Sequence, residues 1–187
     1  MTDREIAERI RKGDSEAFDE LVGIYAKKII NTAYSLLYDA EEAQDAAQEV
    51  FIKVYKNIHS FRGESSLSTW IYRITRNVCC DILRKRRDTV ISLDTEDEDG
   101  KKTDIADSAP GPSESLEIDE RNEYLRRAIA ALDEKHKTVI TLFDLEGLSY
   151  EEIAEVMKCP VGTVKSRLYR ARDALRKLLE ENRELFM

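Results

Sequence analysis

A run of residues near the C terminus, 148–179, limits the possible folds more than any other part of the chain. Ser149 followed by Glu152 predicts a capping box, because the hydroxyl and the carboxylate can each satisfy a backbone N–H at a helix start. Pro160 has no backbone N–H and suits a first helical turn, so a second helix is predicted to begin near it. Helical spacing gives that second helix one apolar stripe, formed by Val164, Leu168, Ala171, Leu175, Leu178 and Leu179. The run therefore predicts two helices joined by a tight turn.

The remaining surface of the second helix is basic. Residues 158–177 contain seven Lys or Arg and a single acidic residue, Asp173. The polar side near the helix start, where a recognition helix presents side chains to base edges, carries Lys165, Ser166, Tyr169 and Arg170. Arg172, nearer the flank, is expected to contact phosphate. This spacing favours a DNA-binding helix-turn-helix, and an amphipathic hairpin with a solvated basic face is the alternative.

The net charge of -8 hides a strong division along the chain. Residues 1–87 carry 15 basic and 14 acidic groups, residues 88–123 carry 3 and 13, and residues 124–187 carry 12 and 11. The acidic excess is therefore confined to the middle of the chain. Low apolar content and Gly-Pro punctuation predict a flexible acidic linker over 88–115.

Helical spacing on both sides of the linker predicts an all-α protein of two small helical domains, 1–87 and 116–187. A capping box at Thr2 and Glu5 predicts a helix over 3–12, and Asp14 is expected to cap a longer helix that ends near Tyr38. Further helices are predicted over about 40–58, from about 66 to 87, from about 116 to 132, and over about 135–145.

The helix predicted over 40–58 has two distinct faces. Its core face is predicted to consist of Ala43, Ala46, Ala47, Val50, Phe51, Val54, Tyr55 and Ile58. Its opposite face holds Glu41, Glu42, Asp45, Gln48, Glu49 and Ile52. A mixed acidic and apolar face is typical of a protein-docking surface, and an ordinary solvated face shows the same pattern, so the residues leave both open.

A second basic region follows, with seven basic and two acidic groups over 61–87. Trp70 shares one helical arc with Ile71, Ile74, Val78 and Ile82, so it is predicted to be core rather than a base-stacking platform. The other side is predicted to carry Tyr72, Arg73, Arg76, Cys80 and Arg84, with Asn77 at the border. This region is a second predicted nucleic-acid footprint.

Several other classes of protein find little support in the sequence. Three cysteines and two histidines lack catalytic or metal-ligand spacing, so no catalytic residue, metal or cofactor is expected. No apolar run approaches the roughly 20 residues that span a bilayer, and a cytosolic protein is expected. The remaining alternatives are a stand-alone helix-turn-helix regulator, an enzyme acting on nucleic acid, and a helical interaction module.

Three segments occur in one order and at one spacing: DAAQEVFIKVYKNI, FRGESSLSTWIYRITRNVCCDILRKRR and LSYEEIAEVMKCPVGTVKSRLYRARDALRKLL. Together they closely resemble bacterial sigma factors of the extracytoplasmic-function (group IV) type. The resemblance implies a polymerase-binding surface at Asp45, Gln48, Glu49, Phe51 and Ile52. It implies capture of the opened minus-10 element by Phe61, Arg62, Ser65, Ser66, Arg73, Arg76, Asn77 and Arg84. It implies reading of the minus-35 element by Lys165, Ser166, Arg167, Tyr169 and Arg170.

The resemblance also implies the partners. These are core RNA polymerase, through its clamp helices and flap, promoter DNA, and an anti-sigma factor that can hold the protein at the membrane. The acidic linker is expected to lie near the template and RNA path of the polymerase. Neither a small-molecule substrate nor direct membrane insertion is expected. Pro160 stands where many relatives have a capping serine or threonine, which affects only the expected first residue of the recognition helix.

Overall fold

The computed structural model describes residues 2–94 and 116–181, and all regular structure in those two ranges is helical. The first range contains α1 (Asp3–Arg11), α2 (Ser15–Leu37), α3 (Ala40–Asn57), a 3₁₀ turn (Ile58–Ser60) and α4 (Leu67–Asp94). The second contains α5 (Leu116–Ala130), α6 (Glu134–Ile140), a π-helical turn (Thr141–Leu145), α7 (Tyr150–Met157) and α8 (Val161–Glu181). The all-α prediction is confirmed for these ranges, and the part of the predicted linker over 95–115 lies outside them.

Local hydrogen bonds set the helix starts as the sequence predicts. Thr2 and Glu5 form a capping box at the start of α1, and the Asp14 carboxylate accepts a hydrogen bond from the backbone N–H of Ala17 at the start of α2. Ser149 and Glu152 form a second capping box at α7. These bonds satisfy N–H groups that have no partner inside a helix.

Helices α1 to α4 share one apolar core. It includes the aliphatic side chains Leu21, Ile29 and Val54, each fully buried, and Trp70, which is 4% exposed. The Trp70 and Phe61 rings lie 5.6 Å apart between centroids. Trp70 is therefore part of the core, as its spacing predicts.

Helices α5 to α8 share a second core. Val164, Leu168 and Ala171 pack there on Ile153 and Val156 of α7, which confirms the predicted apolar stripe of α8. The two groups of helices also touch each other, since α7 packs against α4 and α2 contacts α5 and α6.

Two helix boundaries and the exposure of one α3 side chain differ from the predictions. Helix α4 continues to Asp94, because residues 88–94 contain neither the glycine nor the proline that ends a helix. The predicted linker therefore begins with seven helical residues. The helix predicted over 135–145 ends as a π turn. Tyr55, predicted to be core, is 52% exposed. Its ring contacts Phe18, which packs against the core, in a T-shaped arrangement with 5.1 Å between ring centroids.

Candidate nucleic-acid interface

The turn between α7 and α8 has the geometry of a helix-turn-helix. Helix α7 ends at Met157, and the next residue, Lys158, caps it in a left-handed conformation with φ of 49°. The Pro160 carbonyl accepts hydrogen bonds from the backbone N–H groups of Thr163 and Val164, so Pro160 stands immediately before α8. Proline fits that position because its missing N–H has no role before the first helical turn.

The polar side of α8 faces solvent at its N-terminal half. Lys165, Ser166, Tyr169 and Arg170 are exposed, and Tyr169 shows 78% of its surface. The Lys165 ammonium lies 5.3 Å from the centroid of the Tyr150 ring. The structure thus brings four of the five predicted minus-35 side chains onto one open surface.

The fifth predicted minus-35 side chain, Arg167, is half-buried. One of its guanidinium nitrogens lies 3.7 Å from the Cys159 sulfur in the turn. This contact places Arg167 beside the turn rather than at the centre of the exposed face.

Arg172 has partners that the sequence pattern did not indicate. Its guanidinium forms a salt bridge with Asp144 and lies 5.2 Å from the Phe143 ring centroid. Phe143 stacks on Tyr150 at 4.9 Å between centroids. The Arg172–Asp144 salt bridge therefore links α8 to the π turn.

The loop before α4 is anchored by arginines from α1. The Arg11 guanidinium donates to the backbone carbonyls of Ile58 and Phe61, and Phe61 itself is only 4% exposed. Gly63 has φ of +71°, and an added Cβ would lie 2.7 Å from Nε of Arg4. Because the Phe61 ring is packed on Trp70, a direct base contact by Phe61 would require the loop to rearrange.

The other predicted loop residues remain near the surface. Arg62 and Ser66 are exposed, and Ser65 is half-buried. The Ser66 hydroxyl accepts a hydrogen bond of 3.0 Å from the backbone N–H of Thr69, so Ser66 caps α4.

Helix α4 presents the remaining predicted minus-10 residues. Arg73 and Arg76 are half-buried, Asn77 and Arg84 are exposed, and Arg84 pairs with Asp81 at 2.9 Å. The Nε atom of Arg76 is buried and has no hydrogen-bond partner among the described residues.

The prediction that Tyr72 lies on this open side of α4 is wrong. Tyr72 is 3% exposed and packs into the core of helices α5 to α8, and its hydroxyl donates to the Glu146 carboxylate at 2.6 Å. Helix α4 therefore has a second buried side, because α7 covers part of it.

The acidic face of α3 is open. Asp45, Gln48 and Glu49 are exposed, and Ile52 is 53% exposed. Phe51 is half-buried against the core, 6.5 Å from the Phe18 ring. Asp45, Gln48, Glu49 and Ile52 form one exposed surface. Phe51 packs on the opposite, core-facing side of α3.

The described residues hold no group of three or more potential metal ligands. Burial raises the pKa of both the Cys79 and the Cys80 thiol to about 12, which keeps them protonated and poorly nucleophilic near pH 7. Over 2–94 and 116–181, no helix combines the length and apolar character of a membrane span.

Two family models match the chain, "Sigma-70 region 2" over residues 21–89 and "Sigma-70, region 4" over residues 122–175. The chain is 42% identical to the RNA polymerase sigma-H factor of Pseudomonas aeruginosa, covering 95% of this chain and 94% of that protein. It is 38% identical to the ECF RNA polymerase sigma factor SigW of Bacillus subtilis, covering 92% and 94%.

Among solved structures, the sigma factor RpoE from Bartonella quintana, in complex with the anti-sigma factor NepR, superposes with a TM-score of 0.69. That chain is 27% identical, with 88% of this chain and 98% of that chain covered. The matched regions include both predicted nucleic-acid surfaces and the acidic face of α3.

Proposed function

Because the chain belongs to the extracytoplasmic-function family of RNA polymerase sigma factors, we propose that its three open surfaces divide the work of promoter recognition. The chain is an RNA polymerase sigma factor, and the stand-alone regulator is not favoured. In this proposal the protein is of group IV, works in the cytoplasm and catalyses no reaction of its own. The polymerase supplies the chemistry.

The acidic face of α3 is the proposed docking site for the clamp helices of core polymerase. Asp45, Gln48 and Glu49 supply polar contacts, and Ile52 adds an exposed apolar side chain one turn further along the same face of α3. Exposed apolar side chains within a polar rim are typical of interface cores. Phe51 contributes by holding α3 on the core.

The N-terminal half of α8 is the proposed reader of the minus-35 duplex. The single observation that carries this assignment is that Lys165, Ser166, Tyr169 and Arg170 are exposed while Val164, Leu168 and Ala171 are buried. An arginine on a recognition helix in a major groove can donate two hydrogen bonds to guanine. The half-buried Arg167 is assigned a supporting contact to the backbone of the DNA.

The loop before α4 and the basic side of α4 are the proposed site for the opened minus-10 strand. Arg62, Ser65 and Ser66 border the loop, while Arg73, Arg76, Asn77 and Arg84 follow along the helix. Opening ten base pairs costs on the order of 14 kcal/mol in stacking, and each captured base returns about 1 to 3 kcal/mol. One or two captured bases do not offset that cost, so the protein is expected to melt promoters only when bound to polymerase.

An anti-sigma factor is the proposed regulator. The Bartonella quintana RpoE was solved in complex with such a partner, and this chain matches RpoE over most of its length. We propose that an anti-sigma factor covers surfaces of this chain needed for polymerase or promoter binding, and that a membrane-anchored one holds the protein at the membrane.

The direct test is transcription in vitro with sigma-free bacterial core polymerase and supercoiled genomic DNA, followed by sequencing of RNA 5′ ends. New starts downstream of a shared pair of motifs, seen only with this protein, are the expected result. No added starts with active core and folded protein would contradict the proposal.

The docking site has a matched control. Ile52 and Ile24 are 53% and 52% exposed, on α3 and α2 respectively. Ile52→Ala is expected to lower transcript yield at limiting protein, whereas Ile24→Ala is expected to leave it unchanged. Equal yields from the two variants would remove Ile52 from the docking surface.

A further inference from the structure

The loop before α4, residues 61–66, has little internal structure to hold its shape, and we call it the minus-10 loop. Its first backbone N–H, from Phe61, donates to the Ile58 carbonyl at 3.2 Å. Within the described part of the chain, no backbone hydrogen bond joins residues 62–65 to one another. Holding each residue in one conformation costs entropy, so the loop depends on other elements for a defined shape.

The first helix of the chain, α1, holds the start of this loop through Arg11. The Nε atom of Arg11 donates to the Ile58 carbonyl at 3.2 Å, and a second nitrogen of the same guanidinium donates to the Phe61 carbonyl. The planar fork of one arginine thus fixes two carbonyls. Arg11 is half-buried and Phe61 is buried, so the start of the loop is fixed against the core.

Asp3, also on α1, holds the other end of the loop. Its carboxylate accepts a hydrogen bond of 2.7 Å from the backbone N–H of Leu67, the first residue of α4. That N–H has no partner inside the helix, and a hydrogen bond to an ionised carboxylate is stronger than one between neutral groups. Leu67 is fully buried. Helix α1 is therefore bonded to both ends of the minus-10 loop.

Arg4 adds a contact between the two ends. Its guanidinium donates to the Gly63 carbonyl at 3.5 Å. Gly63 has φ of +71°, a conformation that glycine adopts freely, and its missing Cβ leaves room for the Arg4 side chain. We call the contacts of Asp3, Arg4 and Arg11 with the loop and the start of α4 the α1 clamp.

Helix α1 is itself fixed on the domain that it serves. Ala7 and Ile10 are buried in the core shared by α1 to α4. At the end of the helix, Arg9 pairs at 2.7 Å with Asp14, the residue that caps α2. The clamp therefore belongs to an element that is packed into the same core as α4.

The centre of the minus-10 loop stays on the surface between its anchored ends. Arg62, Glu64 and Ser66 are exposed, whereas Phe61 and Leu67 on either side of them are buried. A flipped base is read by hydrogen bonds to its edge, and such contacts need groups that are held within about 0.5 Å of their required positions. The α1 clamp determines where the exposed groups lie, although none of its residues is a predicted minus-10 residue.

We propose that α1 positions the minus-10 loop for base capture, with Arg11 and Asp3 as positioning residues that act through the loop and not by contact with DNA. The inference rests on the proposed minus-10 site and deepens it. A loop that is ordered in the free protein does not have to be ordered at the expense of binding. Only a base that fits its fixed shape gains the full set of contacts, so losing the clamp lowers selectivity at minus 10.

The test uses the full chain with four substitutions. Arg11→Ala and Asp3→Ala each release one end of the loop, and Asp3→Asn keeps an acceptor for the Leu67 N–H. Arg9→Ala is the matched control, because Arg9 is a half-buried arginine of the same helix that pairs with Asp14. Circular dichroism confirms that each protein is folded.

Two measurements are made on each protein. Limited trypsin digestion of the free protein, followed by mass spectrometry, gives the rate of cleavage after Arg62 in the loop. Titration with core polymerase uses a promoter from the transcription experiment that is premelted over the minus-10 element, with the native base or a single substituted base. The ratio of the two affinities is the readout, because a change that only lowers stability affects both DNAs alike.

We expect Arg11→Ala and Asp3→Ala to be cleaved after Arg62 several-fold faster than the wild type and to lower the affinity ratio by about tenfold. Asp3→Asn and Arg9→Ala are expected to stay close to the wild type in both measurements. Binding to an isolated minus-35 duplex should be the same in all five proteins.

Two results would overturn the proposal: wild-type cleavage rates in both alanine variants, or faster cleavage with an unchanged affinity ratio. A wild type that forms no complex with active core and the premelted promoter would instead overturn the proposed function, whatever the cleavage rates. The two failures are therefore distinguishable.

Discussion

Arg170 and Arg172 lie two residues apart on α8, yet their surroundings differ. Arg170 is exposed and makes no ion pair within the described residues, whereas Arg172 is paired with Asp144. Arg170→Ala is expected to weaken discrimination at one minus-35 base pair by about 1 to 3 kcal/mol, because a bidentate base contact is lost. Fluorescence anisotropy with duplexes that differ at single base pairs measures this.

Arg172→Ala is the matched control for that experiment. It removes a structural ion pair, so it is expected to lower thermal stability slightly and to leave base preference unchanged. The same loss of preference in both variants would show that base and backbone contacts have been assigned wrongly.

Glu152 gives the stability of the helix-turn-helix a defined pH dependence. Hydrogen bonds from the backbone and hydroxyl of Ser149, and from Thr69, hold the pKa of Glu152 below its usual value. A carboxylate with a depressed folded pKa stabilises the fold above its unfolded pKa of about 4.3, and the contribution is lost as the pH falls through the folded pKa. The melting-temperature gap between wild type and Glu152→Gln is therefore expected to be largest near pH 7 and to shrink below about pH 4.

Glu151→Gln changes an exposed neighbour on the same helix. Its melting temperature at neutral pH is expected to differ less from that of the wild type than the melting temperature of Glu152→Gln does. A Glu152→Gln gap that stays constant from pH 7 to pH 3 would contradict the role given to the carboxylate.

Side chains whose partners are close in sequence were predictable, and those with distant partners were not. Ser149 and Glu152 are three residues apart, so their capping box follows from the pattern alone. Tyr72 was placed on an open face because its partner, Glu146, is 74 residues away. The same limitation applies to Arg172 and Asp144, which are 28 residues apart.

The end of α7 carries a measurable strain. Lys158 has φ of 49°, in the left-handed region that a side chain other than glycine occupies at a cost of about 1 to 2 kcal/mol. Lys158→Gly is therefore expected to raise the free energy of unfolding by about 0.5 to 1 kcal/mol, since glycine adopts this conformation freely. Urea denaturation measures the change.

The matched substitution is Lys27→Gly, at an exposed position inside α2. Glycine in a helix interior costs about 1 kcal/mol, so this variant should be less stable than the wild type. A loss of stability in both variants would show that the Lys158 side chain contributes more than its backbone conformation costs.

Helix positions were predictable because caps and apolar spacing are local signals. The predicted helix over 40–58 corresponds to α3 (Ala40–Asn57), and the predicted helix over 3–12 to α1 (Asp3–Arg11). The end of α4 was predicted too early, because the acidic residues after 87 were interpreted as part of the linker. No glycine or proline interrupts the chain between the start of α4 and Gly100. Charge alone does not end a helix.

The complete chain is expected to bind promoter DNA with steep salt dependence despite its net charge of -8. Basic groups are concentrated on α4 and α8. We therefore expect the attraction to phosphates to depend on these local surfaces and not on the net charge of the whole chain. With about six phosphate contacts, log K for the complex with polymerase should fall with log salt at a slope of about 5. Titrations at several salt concentrations measure the slope.

Arg84→Ala is expected to reduce that slope by about 1 for every promoter sequence, because we expect the exposed Arg84, at the proposed minus-10 site, to neutralise one phosphate. A slope unaffected by this change would exclude Arg84 from the phosphate contacts.

The π turn at Thr141–Leu145 sets the direction in which the Glu146 side chain points relative to α6. The Glu146 N–H bonds to the Thr141 carbonyl, five residues back, so this turn holds one residue more than an α-helical turn. Each residue advances an α-helix by about 100°. Deleting a single residue here would rotate Glu146 away from Thr32 and Tyr72, whose hydroxyls donate to its carboxylate, while leaving the sequence of the helix-turn-helix intact. Single-residue length changes between α6 and α7 are therefore a way to uncouple the two halves of this protein without altering any side chain that we propose to contact DNA.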